Sequence, residues 1–161
     1  MSNGIVIRRV PATDADAAAL MRALDADLQG RYPEAHLIAG LDAADAASER
    51  LIVLVAYEDV RPMACGAVRE LDATTGEVKR MFVVPERRGH GLGRAILDAL
   101  ESHARAEGYS TLKIETGTKQ GEAIALYRSF GYRDIPPFGK YAGNAYSMCF
   151  EKDVLTRRVT G

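Results

Sequence analysis

The sequence is poor in the features that mark several large protein classes. Among its 161 residues no uninterrupted apolar run is long enough to cross a bilayer. Residues 1–9 reach Arg8 and Arg9 only after a short apolar segment, without the ordered charge, apolar core and cleavage site of a secretory leader. A cytoplasmic protein without membrane association is expected. The formal net charge of −1 provides no overall field to draw nucleic acid, so no nucleic-acid partner is expected. The three histidines, at positions 36, 90 and 103, have no metal-binding spacing, and no metal site is expected. Cys65 and Cys149 both sit in apolar, strand-like surroundings, which favours buried reduced thiols over a disulfide framework.

What is present suits one domain spanning residues 1–161, with enough apolar chain to bury a core. Residues 5–10 are short and rich in branched side chains, a first strand ended by Pro11. Thr13 and Asp16 resemble a capping box, and Ala17, Leu20, Met21, Leu24 and Leu28 then share one helical face to about Gln29. Residues 34–48 are assigned loop plus a short helix. Residues 51–57 form a nearly continuous apolar run, a strand buried on both faces, and residues 63–71 pair with it as a hairpin. Residues 77–84 alternate, with Glu77, Lys79, Met81 and Val83 on one face and Val78, Arg80, Phe82 and Val84 on the other.

That strand stops at Pro85, and Glu86-Arg87-Arg88-Gly89-His90-Gly91-Leu92-Gly93-Arg94 follows, with glycine at every second position in its second half. Glycines so closely spaced let the backbone turn sharply and bring N–H groups to a ligand. The helix that begins here, striped by Leu92, Ile96, Ala99, Leu100 and His103 and closed by Gly108, offers unpaired donors and a positive dipole end. The arrangement reads as a pyrophosphate cradle, to which Arg88 and Arg94 add permanent charge. The plainer alternative is a strand-to-helix turn with surface arginines. A dinucleotide fingerprint counted from Gly89 would need glycine at Arg94, and a P-loop would need Gly-Lys followed by Ser or Thr. Downstream, residues 111–115 read as a strand parallel to residues 77–84, because a helix separates the two. Ala123, Leu126, Tyr127 and Phe130 mark a further helix, Pro136-Pro137-Phe138-Gly139 a rigid loop over the mouth of a site, and residues 145–152 the last strand.

Arg88, Gly91 and Gly93 fill the pattern Arg/Gln-x-x-Gly-x-Gly/Ala. Between a strand and a helix, this resembles the pyrophosphate loop of the GNAT superfamily of acetyl-CoA-dependent N-acetyltransferases. Residues 120–132 resemble that superfamily's second signature, with Gln120 where Asn is usual, then Ala123-Ile124, Leu126-Tyr127 and the closing pair Gly131-Tyr132. The resemblance covers residues 51–150. It implies an α/β (α+β) GNAT-like fold: a central mixed sheet of six to seven strands flanked by helices, splayed between strands 77–84 and 111–115. It further implies acetyl-CoA as cosubstrate, with its pantetheine arm bonded by the backbone of Met81, Phe82 and Val83. The pyrophosphate would lie on Arg88, Gly89, His90, Gly91, Leu92, Gly93 and Arg94, and Gln120 would contact the cosubstrate. A primary amine of a small molecule would be the acceptor, attacking directly in a ternary complex. Relatives of this kind dimerise through the last strands, and a homodimer is carried over on that ground alone.

The chemistry narrows the remaining roles. An alkylammonium of pKa ~10.4 is neutral in only about one molecule in a few thousand at pH 7, so a base must take its proton. Glu77, on the cofactor strand, is the candidate, directly or through water, with Glu70 and Glu115 in reserve; it also reads as a turn carboxylate paired with Lys79 or Arg80. Tyr127 matches the tyrosine that protonates the departing thiolate in the family, although a helix residue facing the core would carry a tyrosine equally well. Asp25, Asp27, Glu34 and Glu70 read either as a ring around a cationic acceptor, such as a polyamine or lysine-like amine, or as ordinary solvated surface, with Tyr32, Phe138 and Tyr141 shaping the pocket. A non-catalytic acetyl-CoA-binding sensor or regulatory domain is the competing reading, since it needs the loop but neither Glu77 nor Tyr127.

Overall fold

A computed structural model describes residues 4–31 and 40–155. Seven strands form one sheet: β1 (Ile5–Arg9), β2 (Ile52–Glu58), β3 (Arg61–Glu70), β4 (Thr75–Val83), β5 (Thr111–Gly117), β6 (Arg133–Ile135) and β7 (Ser147–Asp153), in the order β1-β2-β3-β4-β5-β7-β6. Every neighbouring pair is antiparallel except β4 with β5. The helices are α1 (Ala15–Arg31), α2 (Ala43–Ala47), α3 (Leu92–Ala106) and α4 (Gly121–Ser129).

The continuous apolar runs of β2 and β3 are buried on both faces because each face carries its own core. On one side Leu92, Ile96, Leu97 and Leu100 of α3 pack with Ile52, Leu54, Val78, Leu112 and Ile114, and the apolar residues of α4 join them. On the other side Ala17, Leu20 and Leu24 of α1 pack on Val53, Val55, Cys65 and Phe82. Each fully buried aliphatic side chain contributes on the order of 2 kcal/mol. Both cysteines are buried free thiols, and burial pushes the Cys65 thiol up to about 12.

Several expectations are corrected by the structure. Asp14, not Thr13, caps α1, its carboxylate accepting from Ala17 N at 3.0 Å. The helix runs through Gly30 to Arg31 instead of stopping near Gln29. A short edge strand, β6, was not expected, because three mostly exposed polar-flanked residues carry no periodic signal. The regular alternation expected of β4 is also broken. The register passes from Ala67↔Lys79 to Cys65↔Phe82, so that Arg80 and Met81 together oppose Gly66. This β-bulge places Arg80 at φ 60, an uncommon conformation for a residue with a Cβ. Its side chain is held by bonds from Nη2 to Met21 O (2.8 Å) and Asp25 Oδ1 (2.7 Å). Past the bulge the faces exchange: Met81 and Val83 join Val78 on the α3 side, and Phe82 packs against α1.

Gly66 makes the bulge possible, since a Cβ there would lie 2.7 Å from Met81 Sδ and 2.8 Å from Ile96 Cγ2. Gly66→Ala is expected to cost about 1–3 kcal/mol through overpacking, read as a lower midpoint in urea unfolding with an unchanged slope.

Candidate active site

The parallel pairing of β4 with β5 runs from Thr75↔Thr111 to Val78↔Ile114 and stops there. Past that point β4 stays with β3 (Ala64↔Val83) and β5 with β7 (Gly117↔Ser147), so a wedge opens inside the sheet. Its outer part is a cleft of about 430 Å³, lined by Met81, Phe82 and Val83 of β4, by the loop and first turn of α3, and by Gln120, Ala123, Leu126 and Tyr127. Val84 N donates to Met63 O at 2.9 Å, so alternation turns the N–H and C=O of Val83 to the other edge, toward the wedge. Phe82 shares the edge of Val84 and directs its backbone to β3. Phe82 still lines the cleft, but the pairing of its backbone with β3 corrects the expectation that its peptide groups would be unpaired.

At the cleft's outer end the glycine loop enters α3. Gly89 and Gly91 have φ of 81° and 85°, and nothing lies within 4 Å of where a Cβ would stand on either. Gly91 is the N-cap and makes no side-chain capping bond, so the first N–H groups of α3 have no intrahelical acceptor and open on the cleft. Arg88 donates from Nε to Val83 O at 2.9 Å, and Arg94 from Nη1 to Ser129 Oγ at 3.0 Å. Open space, unpaired N–H groups and two guanidinium groups suit a diphosphate. His90 does not line the cleft; it is exposed, with Nδ1 3.1 Å from Arg88 O. Gln120 Oε1 accepts from Gly117 N (3.0 Å) and Thr116 Oγ1 (3.2 Å), which anchors the amide to the end of β5.

The cleft continues into a smaller inner cavity of about 100 Å³ behind the wedge, and Leu24, Met81, Gln120 and Tyr127 wall both. Tyr127 is 4% exposed, and burial, with the Glu115 carboxylate nearby, pushes its phenol above the usual range. Glu77 and Lys79 of β4, Glu115 and Thr116 of β5, Tyr141, Asn144 and Ser147 also line this cavity.

The two carboxylates differ in what they are bonded to. Glu77 is 1% exposed, and both its oxygens are engaged, Oε1 by Arg69 Nη1 at 2.8 Å and Oε2 by the Tyr141 hydroxyl at 2.7 Å. Glu115 accepts from Ser147 Oγ at 2.6 Å on Oε2. Burial raises its pKa against the lowering effect of that bond. Lys79 is 7% exposed, and its Nζ has no hydrogen-bond partner among the described residues. Burial lowers its pKa to about 8; Glu77 opposes the change, while Lys140 and Arg69 reinforce it. Sequence reasoning treated Lys79 only as a partner for Glu77, although the strand pattern had put the two on one face.

The acidic ring expected around the acceptor is not assembled. Asp25 is bonded to Arg80, Asp27 lies at the cleft near Arg88, and Glu70 is paired with Arg50 and lines neither cavity. Phe138 stacks edge-on against Tyr141 at 5.3 Å, so the expected aromatic wall forms in part. Tyr32, Glu34 and His36 lie outside the described residues. Among the described residues no cluster of side chains has the makings of a metal site, and no helix is long and apolar enough to cross a membrane.

Three kinds of similarity accompany this geometry. The model of the acetyltransferase (GNAT) family matches residues 17–132. An IAA acetyltransferase of Azospirillum brasilense is 40% identical over 155 residues, covering 94% of this chain and 99% of the relative. Among solved structures, an acyl-CoA N-acyltransferase of Klebsiella pneumoniae superposes with a TM-score of 0.78 at 32% identity, over 96% of this chain and 99% of the other. A GNAT family acetyltransferase of Elizabethkingia anophelis with acetyl-CoA bound superposes with a TM-score of 0.67 at 17% identity, over 94% and 99%; that likeness extends to the fold alone.

Proposed function

We propose that this chain, which belongs to the acetyltransferase (GNAT) family, transfers an acetyl group from acetyl-CoA to an amine of a small molecule while both are bound. The observation that carries this is the wedge: β4 and β5 separate beyond Val78↔Ile114, and the cleft so opened meets a polar inner cavity at Tyr127. Acetyl-CoA, when bound, supplies a thioester whose thiol, of pKa ~8.5, leaves as a moderately stable anion. The N–H groups of residues 89–94 hold the diphosphate, aided by Arg88 and Arg94, and the amide of Gln120 adds a donor on the wall. Met81 and Val83 bond the pantetheine amides as a strand edge would, and Val83 N–H polarises the reacting carbonyl.

In the inner cavity a carboxylate takes the proton from the acceptor's ammonium group before attack. Of the two carboxylates, Glu115 keeps one oxygen outside the bond to Ser147, whereas Glu77 is bonded on both and serves chiefly to hold Arg69 and Tyr141. Glu115 Oε1 is therefore the better placed base, with Glu77 behind it. As the new C–N bond forms and the C–S bond breaks, Tyr127 gives its hydroxyl proton to the sulfur and the tyrosinate takes up the second proton that the nitrogen sheds, while Glu115 passes the first to solvent.

Glu115→Gln is expected to lower kcat by about 100-fold or more, the usual worth of a base. Glu77→Gln should instead cost stability, about 3 kcal/mol, by breaking a buried ion pair, with a smaller loss of turnover. The reverse ranking in folded protein would return the base role to Glu77. Because burial raises the Glu115 pKa, the acidic limb of kcat/KM should fall at a pH above the ordinary carboxylate range, activity being lost as pH drops through it. The whole reading is tested by calorimetric titration with acetyl-CoA and by thiol release across a panel of amines, with IAA run beside them as the compound named for the relative. Tight uptake without thiol release from any acceptor would favour a sensor.

A further inference from the structure

The inner cavity holds a cation that nothing in the transfer chemistry uses. Lys79 projects from β4 just before the bulge and lines the cavity; it is more than nine-tenths buried, and its Nζ has no acceptor among the described residues. The other charges around it are spoken for. Arg69 bonds Asp45 and Glu77, Arg80 bonds Asp25 and Met21 O, and Glu77 is engaged on both oxygens. Lys140 adds a second positive charge close enough to disfavour the Lys79 ammonium. A buried ammonium without a hydrogen-bonded acceptor is costly, even with the Glu77 carboxylate in electrostatic reach, unless an anion arrives with the ligand. On the same cavity wall, Glu115 presents a carboxylate with one oxygen outside its bond to Ser147. The cavity wall thus carries a cation and a carboxylate within electrostatic reach of each other, and a compact ligand matching it carries both an ammonium group and an anion.

We propose that Lys79 receives a carboxylate on the acceptor, so that the amine acetylated here belongs to an amino acid or a similar amino carboxylate. This rests on the transfer reading above and reverses the expectation of a wholly cationic acceptor. Lys79 is a specificity residue: it binds the end of the acceptor that does not react, and Glu115 meets the end that does.

The test is thiol release from acetyl-CoA with L-amino acids and with the same compounds as α-carboxamides, for wild type and Lys79→Gln. The wild type is expected to favour the carboxylates by about 30-fold in kcat/KM, the worth of a charge-assisted hydrogen bond in a dry site. That preference would stand against chemistry, since the amide's amine gives up its proton more readily. Lys79→Gln should collapse the ratio through KM for the carboxylates, and Lys79→Arg should restore part of it. In the wild type the ratio should decline as pH rises through about 8, where the ammonium is lost. Equal kcat/KM for acids and amides in the wild type would overturn the proposal. So would a fall in kcat for both classes alike in Lys79→Gln, which would make Lys79 a base. If no amine releases thiol, the transfer reading has failed, and calorimetric titration of the CoA-saturated protein decides the carboxylate site separately. Uptake of the amino acids that Lys79→Gln abolishes supports the site, and no uptake overturns it.

Discussion

Turnover of Tyr127→Phe should fall by one to three orders of magnitude, with the KM for acetyl-CoA changed by no more than about twofold. The substitution removes one hydroxyl and keeps the ring, whose neighbours Tyr132 and Phe150 lie 6.2 Å away centroid to centroid. Folding should therefore be nearly unaffected, and thermal unfolding of the variant provides the check. The residue lines both the outer cleft and the inner cavity, which puts it beside the path that the proposed transfer would take. Its raised pKa keeps the phenol fully protonated across the working pH range, so the proton is in place when the thiolate develops beside it. A loss of ten- to a thousandfold corresponds to about 1.4–4 kcal/mol of barrier, within the range of a positioned general acid. Unchanged kcat would reduce Tyr127 to a packing residue.

Lys79→Met should give a more stable protein near neutral pH, by about 3 kcal/mol, while losing the acceptor preference. The lysine titrates at 10.5 when exposed and at about 8 in the fold. Between those values the unfolded chain holds a proton that the native protein has released, so wild-type stability rises with pH across the window. Below about pH 8 both states are charged, and the native state bears the full cost of the buried ammonium. A shift of that size is worth about 3 kcal/mol, and methionine fills the volume without the charge. Urea unfolding at pH 6.5 and pH 10 would show the advantage of Lys79→Met shrinking toward the alkaline end. An advantage independent of pH would mean that the burial of the ammonium is not its source. Stability given up at a cavity wall is what a residue kept for binding is expected to show.

The parts of this site carried by contiguous residues were legible in the sequence, and the parts assembled across the fold were not. The loop from Arg88 to Arg94 declares itself because its glycines and arginines must lie side by side in the chain to make a cradle. The wedge followed from the helix between β4 and β5, which forces them parallel, together with the family resemblance. The inner cavity gave no such signal. Its wall is drawn from α1, β4, β5, α4, β7 and the stretch between β6 and β7, and whether Glu77 or Glu115 keeps an accessible oxygen depends on Arg69, the hairpin partner of Glu77, and on Tyr141 and Ser147, which are distant in sequence from the carboxylates they bond. Arg80 hid the bulge, since arginine is not a residue that announces a left-handed backbone, and only Asp25 and Met21 O explain why it tolerates one. The acidic residues expected around the acceptor were a matter of composition, and folding sent Asp25, Asp27 and Glu70 to different partners.

A sheet that opens in its own middle leaves a row of peptide groups ready to be copied by any extended stretch of polypeptide, the commonest route to fibrils and stuck oligomers. The kink at Arg80 guards against this. With one residue too many on its side, β4 offers hydrogen-bonding groups out of step with the even rhythm of a peptide, and an incoming strand loses register after a residue or two. Pantetheine does not have that rhythm: its two amides are spaced by an extra methylene. On the proposed reading, the irregularity that spoils the edge for a peptide still admits pantetheine, so that the backbone itself would discriminate between the two guests.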